Sequence, residues 1–357
     1  MTDIAIDTLR TADYVAAVPV LAGVAPTGTD PLNEIVVIFT KDGRVPLTIR
    51  DSVEQDPDGF ATVVAGHAAA FGVDAARIVL VTSIKRLTTG YAIADAVRDH
   101  LARAGVPIAF RVHTFGIFRD GSWQDIDTHE SGLIPDPAAT AIAIAHAADG
   151  RIITASRAEI EGQFQPGTRA DLSKAIADSA RPEFPTETLD SLRRVIAAYS
   201  DAAAARDSYN APATAADAYR RAGIDRADLA SRVGVLVRQE VPARDALVGL
   251  ARIDVLAAAI VDTDIANQLT GHDRAHVLAA ASIGYYIAGM GNHAHDALRA
   301  ADKAARTNPG ETPELVKLMI AAYKEALSVE LALKLLDAGA CTLAKYGIII
   351  PDSDIRA

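Results

Sequence analysis

Residues 278–309, LAAASIGYYIAGMGNHAHDALRAADKAARTNP, decide how the C-terminal half of this 357-residue chain is built. Leu278, Ala281, Ser282, Tyr285 and Tyr286 recur at three- and four-residue steps, so they share one helical face that ends at Gly289 and Gly291. Ala294, Ala297, Ala301 and Ala304 repeat the pattern, and alanines let two helix axes approach closely. Asn308-Pro309-Gly310 then stops the second helix. The stretch predicts one packed helical hairpin.

The spacing of Ala297, Ala304 and Pro309 resembles the second helix of a tetratricopeptide repeat, a unit of ~34 residues. One such unit is visible, and a single repeat cannot bury its own faces, so an ordinary antiparallel pair inside a helical domain is the favoured form.

Working outward, helical spacing dominates upstream over Leu189–Ala205, Ala213–Ala222, Asp225–Gln239 and Arg244–Ala258. Downstream, Thr312-Pro313-Glu314 supplies a cap, a fixed φ and a negative charge in sequence, starting a helix over Leu315–Ala338.

The N-terminal texture differs. After a helix over Ala12–Ala22, Glu34–Thr40 is a β-branched apolar run. Asp42-Gly43 is a favoured two-residue hairpin turn, and Arg44–Arg50 returns as a second strand. Pro46 cannot donate to a ladder, so that strand belongs at a sheet edge. Phe60–Phe71 reads as helix, Arg77–Ser83 as a buried strand, Tyr91–Ala104 as helix and Pro107–Phe118 as strand. Asp120-Gly121 turns the last into Ser122–Asp127, a second hairpin.

This order predicts a mixed, open α/β sheet of roughly five strands. Beyond Pro135 only Arg151–Thr154 reads as a short strand, while Ala138–Ala148 and a capped segment from Ser156 to Phe164 read as helices. Pro166, Gly167, Pro182 and Pro185 mark 166–188 as a linker or exposed connection. The expected organisation is an α/β domain over 1–165, an all-helical domain over 189–345 and a tail over 346–357.

The net charge of -11 argues against broad nucleic-acid affinity, which needs concentrated Lys and Arg. Cys341 is the single cysteine, which excludes an internal disulfide framework and fits a reducing cytoplasm. The N-terminus lacks a basic leader, and Val248–Ile260, interrupted by Arg252 and Asp254, falls short of the ~20 residues of a membrane span. A cytoplasmic protein without a membrane segment is expected.

Several residues combine into a wider pattern. Tyr14, Pro19, Leu21, Gly23 and Pro26 precede the strand Ile35–Phe39. Gly150-Arg151, Ser156-Arg157-x-Glu159, Arg244-Asp245-Ala246-Leu247 and Ala288-Gly289-x-Gly291 follow, with Ala297, Ala304 and Pro309 after them. Together, over roughly 14–165 and 243–327, they resemble an actinobacterial family catalogued as domain of unknown function 4192. The resemblance implies a cytoplasmic protein with an α/β N-terminal part and a helical C-terminal part; it brings no activity, substrate or cofactor. Family members often carry a cysteine-rich segment after the tryptophan of the second hairpin, whereas here Trp123 precedes QDIDTHESGLIP, so any metal or redox role of those cysteines does not transfer.

Two segments are candidate sites. Asp125, Asp127 and His129 alternate onto one face if their strand is regular, an arrangement of oxygen and imidazole ligands suited to a divalent metal. A two-residue turn at Asp120-Gly121 would pair Gly116 with Asp125 and Thr114 with Asp127, leaving His113 on the other face; a solvent-facing acidic strand is then the simpler account. The second segment is the loop after Arg77–Ser83, where Thr82, Ser83, Lys85, Thr88, Thr89 and Gly90 offer hydroxyls, an ammonium and helix N-terminal amides to an anion. The alternative is a polar connection that caps the next helix. Neither a phosphate-loop pattern nor a nucleophile elbow occurs.

The leading expectation is therefore a non-enzymatic interaction or scaffold module with a helical docking surface, a protein partner and no cofactor. The alternative is a metal- or anion-dependent enzyme acting on a phosphorylated or nucleotide-like small molecule.

Overall fold

Asp42 and Gly43 adopt left-handed φ angles of 51° and 71°, as a type I′ turn demands, and this turn starts the sheet. The computed structural model describes residues 9–23, 32–148, 157–205, 213–239, 241–307, 312–324 and 329–350. The chain divides into two units, Met1–Glu159 and Ile160–Ala357.

The first unit runs α1 (Thr11–Leu21), β1 (Glu34–Lys41), β2 (Arg44–Ser52), α2 (Pro57–Phe71), β3 (Ala75–Val81), α3 (Leu87–Arg103), β4 (Ile108–Thr114), β5 (Ser122–Asp125), β6 (Ser131–Leu133) and α4 (Ala141–Ala148). The strand order is β2-β1-β3-β4-β5-β6, with β3 and β4 parallel and every other neighbouring pair antiparallel. Pro46 lies in β2 at the edge and β1 lies inside, as the sequence indicates.

Both sheet faces are covered. Ile35, Val37, Phe39, Ile78 and Leu80 pack against Phe60 and Val64 of α2 and Ile93, Val97 and Leu101 of α3. On the other face, Tyr14 of α1 meets Phe110 edge-on with ring centroids 5.7 Å apart, and the Arg77 guanidinium lies 4.4 Å from the Tyr14 centroid. Gly90 of α3 is required by proximity: an added Cβ would lie 2.8 Å from Leu80 Cδ2.

The second hairpin departs from the sequence reading. Strand β4 ends at Thr114 rather than Phe118, and Thr114 pairs with Trp123, not Asp127. The Thr114 hydroxyl is 2.8 Å from both the Gly116 and Ser122 carbonyl oxygens and draws the chain out of the ladder. The Phe115–Gly121 loop is then held from below, Asp120 N–H donating to the Ile134 carbonyl at 2.9 Å. That contact belongs to the approach of β6, a strand of three residues with no sequence signal, which brings the sheet to six strands among the described residues, where roughly five are expected. The register shift is even, so His113 still lies on the face opposite Asp125.

Helices also begin earlier than their apolar spacing indicates. The Asp56 carboxylate accepts from Gly59 N–H at 2.9 Å and starts α2 at Pro57, while a 3-10 turn over Ile84–Arg86 leads directly into α3 at Leu87. The expected strand Arg151–Thr154 and the cap at Ser156 lie outside the described residues.

The second unit follows α5 (Arg157–Gln163), which carries the boundary. It comprises α6 (Ser173–Asp178), α7 (Phe184–Ala204), α8 (Ala215–Ala222), α9 (Arg226–Gln239), α10 (Val241–Leu250), α11 (Val255–Ala266), α12 (Gly271–Ile287), α13 (Gly291–Arg306), α14 (Glu314–Lys324) and α15 (Val329–Lys345).

The proline-bearing segment 166–188, expected as a linker or exposed connection, is largely exposed and is tied to this unit at several points. Gly167 N–H donates to the Asn267 carbonyl at 2.6 Å, Ala170 N–H to the Gln268 carbonyl at 2.9 Å, and Phe184 is buried. The single helix expected over Arg244–Ala258 is two, because the Asp254 carboxylate accepts from Leu256 and Ala257 N–H groups at 3.1 and 2.9 Å and starts α11. The helix expected over Leu315–Ala338 is likewise represented by α14 and α15, the latter running on to Lys345.

The hairpin of α12 and α13 has the predicted turn. Gly289 sits at φ 74°, and Gly289 and Met290 N–H groups return to the Tyr286 and Tyr285 carbonyls at 3.0 and 2.8 Å, closing α12. Ala294, Ala297, Ala301 and Ala304 are all buried, as their spacing requires. Helix α12 begins at Gly271, seven residues before the apolar pattern becomes visible. Its first turns carry Asp273 and Arg274, and both are buried and partnered: Asp273 by Arg238, Arg274 by the carbonyls of Ala266 and Phe164 at 2.8 and 2.6 Å.

Candidate functional site

The carboxyl ends of β3 and β4 lie side by side, Thr82 N–H donating to the Thr114 carbonyl at 3.1 Å. Of the candidate residues here, Thr82 and Ser83 are committed to holding the loop before β1. The Asn33 side-chain oxygen accepts from the Thr82 hydroxyl at 3.2 Å, the Ser83 amide at 3.0 Å and the Ser83 hydroxyl at 3.1 Å. Asn33 has φ 51°, a conformation its short amide side chain tolerates. Lys85, Thr88 and Thr89 are exposed and stand apart from that bonded set.

Behind the loop, buried His113 places Nε2 3.2 Å from the Thr82 carbonyl oxygen. Burial pushes its pKa down against the opposing effect of that hydrogen bond, so the imidazole is neutral at pH 7 and donates through Nε2–H. Its ring is edge-on to Phe115 and Tyr91, with centroids 4.6 and 6.1 Å away.

The acidic segment is a tight turn rather than a strand. Strand β5 ends at Asp125, whose carboxylate accepts from the Asp127 and Thr128 amides at 2.8 and 2.7 Å, and His129 sits at φ 64°. Asp125, Asp127 and His129 therefore do not share a face by strand alternation. Asp127 instead pairs with Arg111 of β4, Nε to Oδ2 at 2.9 Å with a second, shorter contact between Nη2 and Oδ1. Arg111 also donates to Asp95 of α3 at 2.7 Å. Arg111 is buried while both carboxylates are about half exposed, so the two acids satisfy a guanidinium that could not otherwise be buried. The guanidinium holds the Asp127 carboxyl below its ordinary range. Among the described residues no group of three or more His, Cys, Asp and Glu side chains could hold a metal ion.

Topology accounts for the position of these groups. Strands β2 and β3 are both antiparallel to β1 and hence parallel to each other, and helices α2 and α3 cross on the same face. Both crossovers step in the same direction along the sheet, so among the described residues the parallel strands have no reversal of order of the kind that receives ligands in doubly wound sheets. A shallow concavity of about 500 Å³ lies at the other end of β4, lined by Arg98, Ala102 and Val106–Ile108. A second, of about 310 Å³, lies in the helical unit between Glu187, Arg194 and Arg232. Neither coincides with a segment singled out in the sequence.

Arg111 and Asn33 are the polar residues that spacing did not reveal. Each acts on partners 16 to 50 positions away in the chain, and no local pattern announces such a bond.

A family model described as Domain of unknown function (DUF4192) matches residues 12–328. No curated protein and no solved structure matches the chain.

Proposed function

The chain belongs to the DUF4192 family, and from that premise we propose that it is a non-enzymatic interaction module of the cytoplasm that docks protein partners. The observation that carries this reading is the pair Ile84 and Phe115, 74% and 48% exposed, on the adjoining extensions of β3 and β4. Single exposed apolar residues are ordinary, but these two follow strands whose ends are joined by the Thr82–Thr114 hydrogen bond, so they offer apolar surface in one region. The Phe115 ring is fixed against His113, so little ordering cost is incurred when a partner covers it. Lys85 follows Ile84 and Thr88 and Thr89 lie in the first turn of α3, so exposed polar side chains accompany the apolar ones, as in a protein interface.

The helical unit exposes two further leucines, on separate helices. Leu318 on α14 and Leu331 on α15 are exposed, and each lies beside an ion pair, Lys317–Glu314 at 2.9 Å and Lys334–Glu330 at 2.8 Å. An outward leucine flanked by paired charges suits an amphipathic partner helix. The exposed free thiol of Cys341 fits a reducing compartment.

The test is crosslinking of the full-length protein in its native host, followed by mass analysis of the complexes. The double variant Ile84→Lys/Phe115→Lys is expected to lose wild-type complexes while melting at the same temperature, and Leu318→Lys/Leu331→Lys reports on the helical leucines. Wild-type complexes retained in both variants, or a wild-type protein found only as a lone chain, would overturn the reading.

A further inference from the structure

Arg244 on α10 and His272 on α12 lie near enough to the His276 imidazole of α12 for both to act on it electrostatically. Arg244 Nε, His272 Nε2 and His276 Nδ1 have no hydrogen-bond partner among the described residues. The two histidines are four residues apart and share a helical face, and α10 packs directly on α12. His276 is only 9% exposed, whereas Arg244 and His272 are partly exposed.

Among the described residues, the adjacent carboxylates Asp273 and Asp245 do not pair with the cluster. Asp273 is taken up by Arg238, with Nη2 and Oδ2 2.5 Å apart, and Asp245 is exposed on α10. Arg274 is turned to backbone carbonyls. Thr270, the residue before α12, makes no side-chain cap, so the positive end of the helix dipole adds to the same field. Burial first, and then Arg244 and His272, lowers the pKa of His276 to about 4.

An unpartnered guanidinium N–H beside two unpartnered imidazole nitrogens, either of which can take the N–H tautomer, calls for an acceptor with several oxygens. We infer that a tetrahedral oxyanion of the phosphate type binds between Arg244, His272 and His276, with the guanidinium and the imidazole N–H groups donating to its oxygens. A divalent cation fits poorly beside the Arg244 charge. The site is independent of the Ile84 and Phe115 surface.

The test titrates inorganic phosphate into the full-length protein at constant ionic strength, following the histidine imidazole resonances and the heat of binding, with chloride as control. Saturable shifts of two imidazoles are expected, and a sugar phosphate arm tells a phosphomonoester from the free ion. Loss of a charge-assisted donor in Arg244→Met or His276→Gln should weaken binding by about tenfold or more. Arg244→Lys should retain part of the affinity, and thermal melts report whether each variant is folded. Should His276→Gln fail to fold, the partly exposed Arg244→Met decides. No saturable binding of phosphate or its ester, equal binding by folded Arg244→Met, or a response of the same imidazoles to Zn²⁺ alone would overturn the site.

Discussion

Gly249 and Gly339 meet backbone to backbone where α10 packs on α15. A Cβ built on Gly249 would lie 2.5 Å from both the Ala340 nitrogen and the Gly339 oxygen, and one on Gly339 would lie 2.5 Å from the Asp245 oxygen. No flexible side chain stands there to give way. Gly339→Ala should therefore destabilise the protein by ~1–3 kcal/mol or more through overpacking, outweighing the ~1 kcal/mol that Ala gains over Gly in a helix. Gly66, exposed in α2 with nothing within 4 Å of an added Cβ, provides the contrast. Gly66→Ala should stabilise by about 0.5–1 kcal/mol. Urea midpoints of the two variants should move in opposite directions, and movement in the same direction would contradict the close approach.

The second prediction concerns Ala297 and Ala304, both buried on α13. Replacing either by Leu should cost ~1–3 kcal/mol, because the added methylenes meet packed helices rather than solvent. Unchanged denaturant midpoints in both variants would show this face to be open.

A third prediction comes from Asp262, a fully buried acid on α11 whose Oδ1 has no hydrogen-bond partner among the described residues. Burial pushes its pKa well above the ordinary carboxylate value. With the native pKa raised, its contribution to stability is fully present below the unfolded-state value near ~3.9 and is lost as pH rises through the native value. Asp262→Asn should remove that loss, making the variant about 1–3 kcal/mol more stable than wild type at pH 7. The gap should close as the pH falls toward ~4. Melting curves across pH check this, and a constant difference would refute it.

The acidic turn gives the fourth. Asp127 is engaged by Arg111, so added Mn²⁺ or Zn²⁺ should leave the melting temperature unchanged, whereas a bound ion at a hundred times its dissociation constant would add ~2.7 kcal/mol. A rise removed by Asp127→Ala would reverse this assignment. The native pKa of Asp127 is depressed, so its ion-pair contribution is present at neutral pH and is lost as pH falls through that lowered value. Because the carboxylate is half exposed, Asp127→Asn should cost no more than about 1 kcal/mol at pH 7.

Local chemistry was legible where a residue acts on its near neighbours. Asp42-Gly43 specified a turn because few residues tolerate two successive positive φ angles, and Pro46 specified an edge because it lacks an amide hydrogen. The alanines of α13 reported their own burial through their spacing. A cap such as Asp254 was equally local, yet its apolar surroundings hid it inside an apparently continuous helix.

By itself, then, the sequence determined an α/β half with an edge-bound proline strand and a helical half closed by a tight glycine hairpin, since period and turn chemistry are properties of a few consecutive residues. Only the tertiary structure decided the rest. Thr114 left the ladder at β6's approach, Asp127 met Arg111 across strands instead of a metal, and Arg244 came to lie beside His272 and His276. Those outcomes depend on which distant backbone arrives next to a side chain, and the free energy of a buried charge or hydroxyl is set by that neighbour rather than by its own stretch of chain.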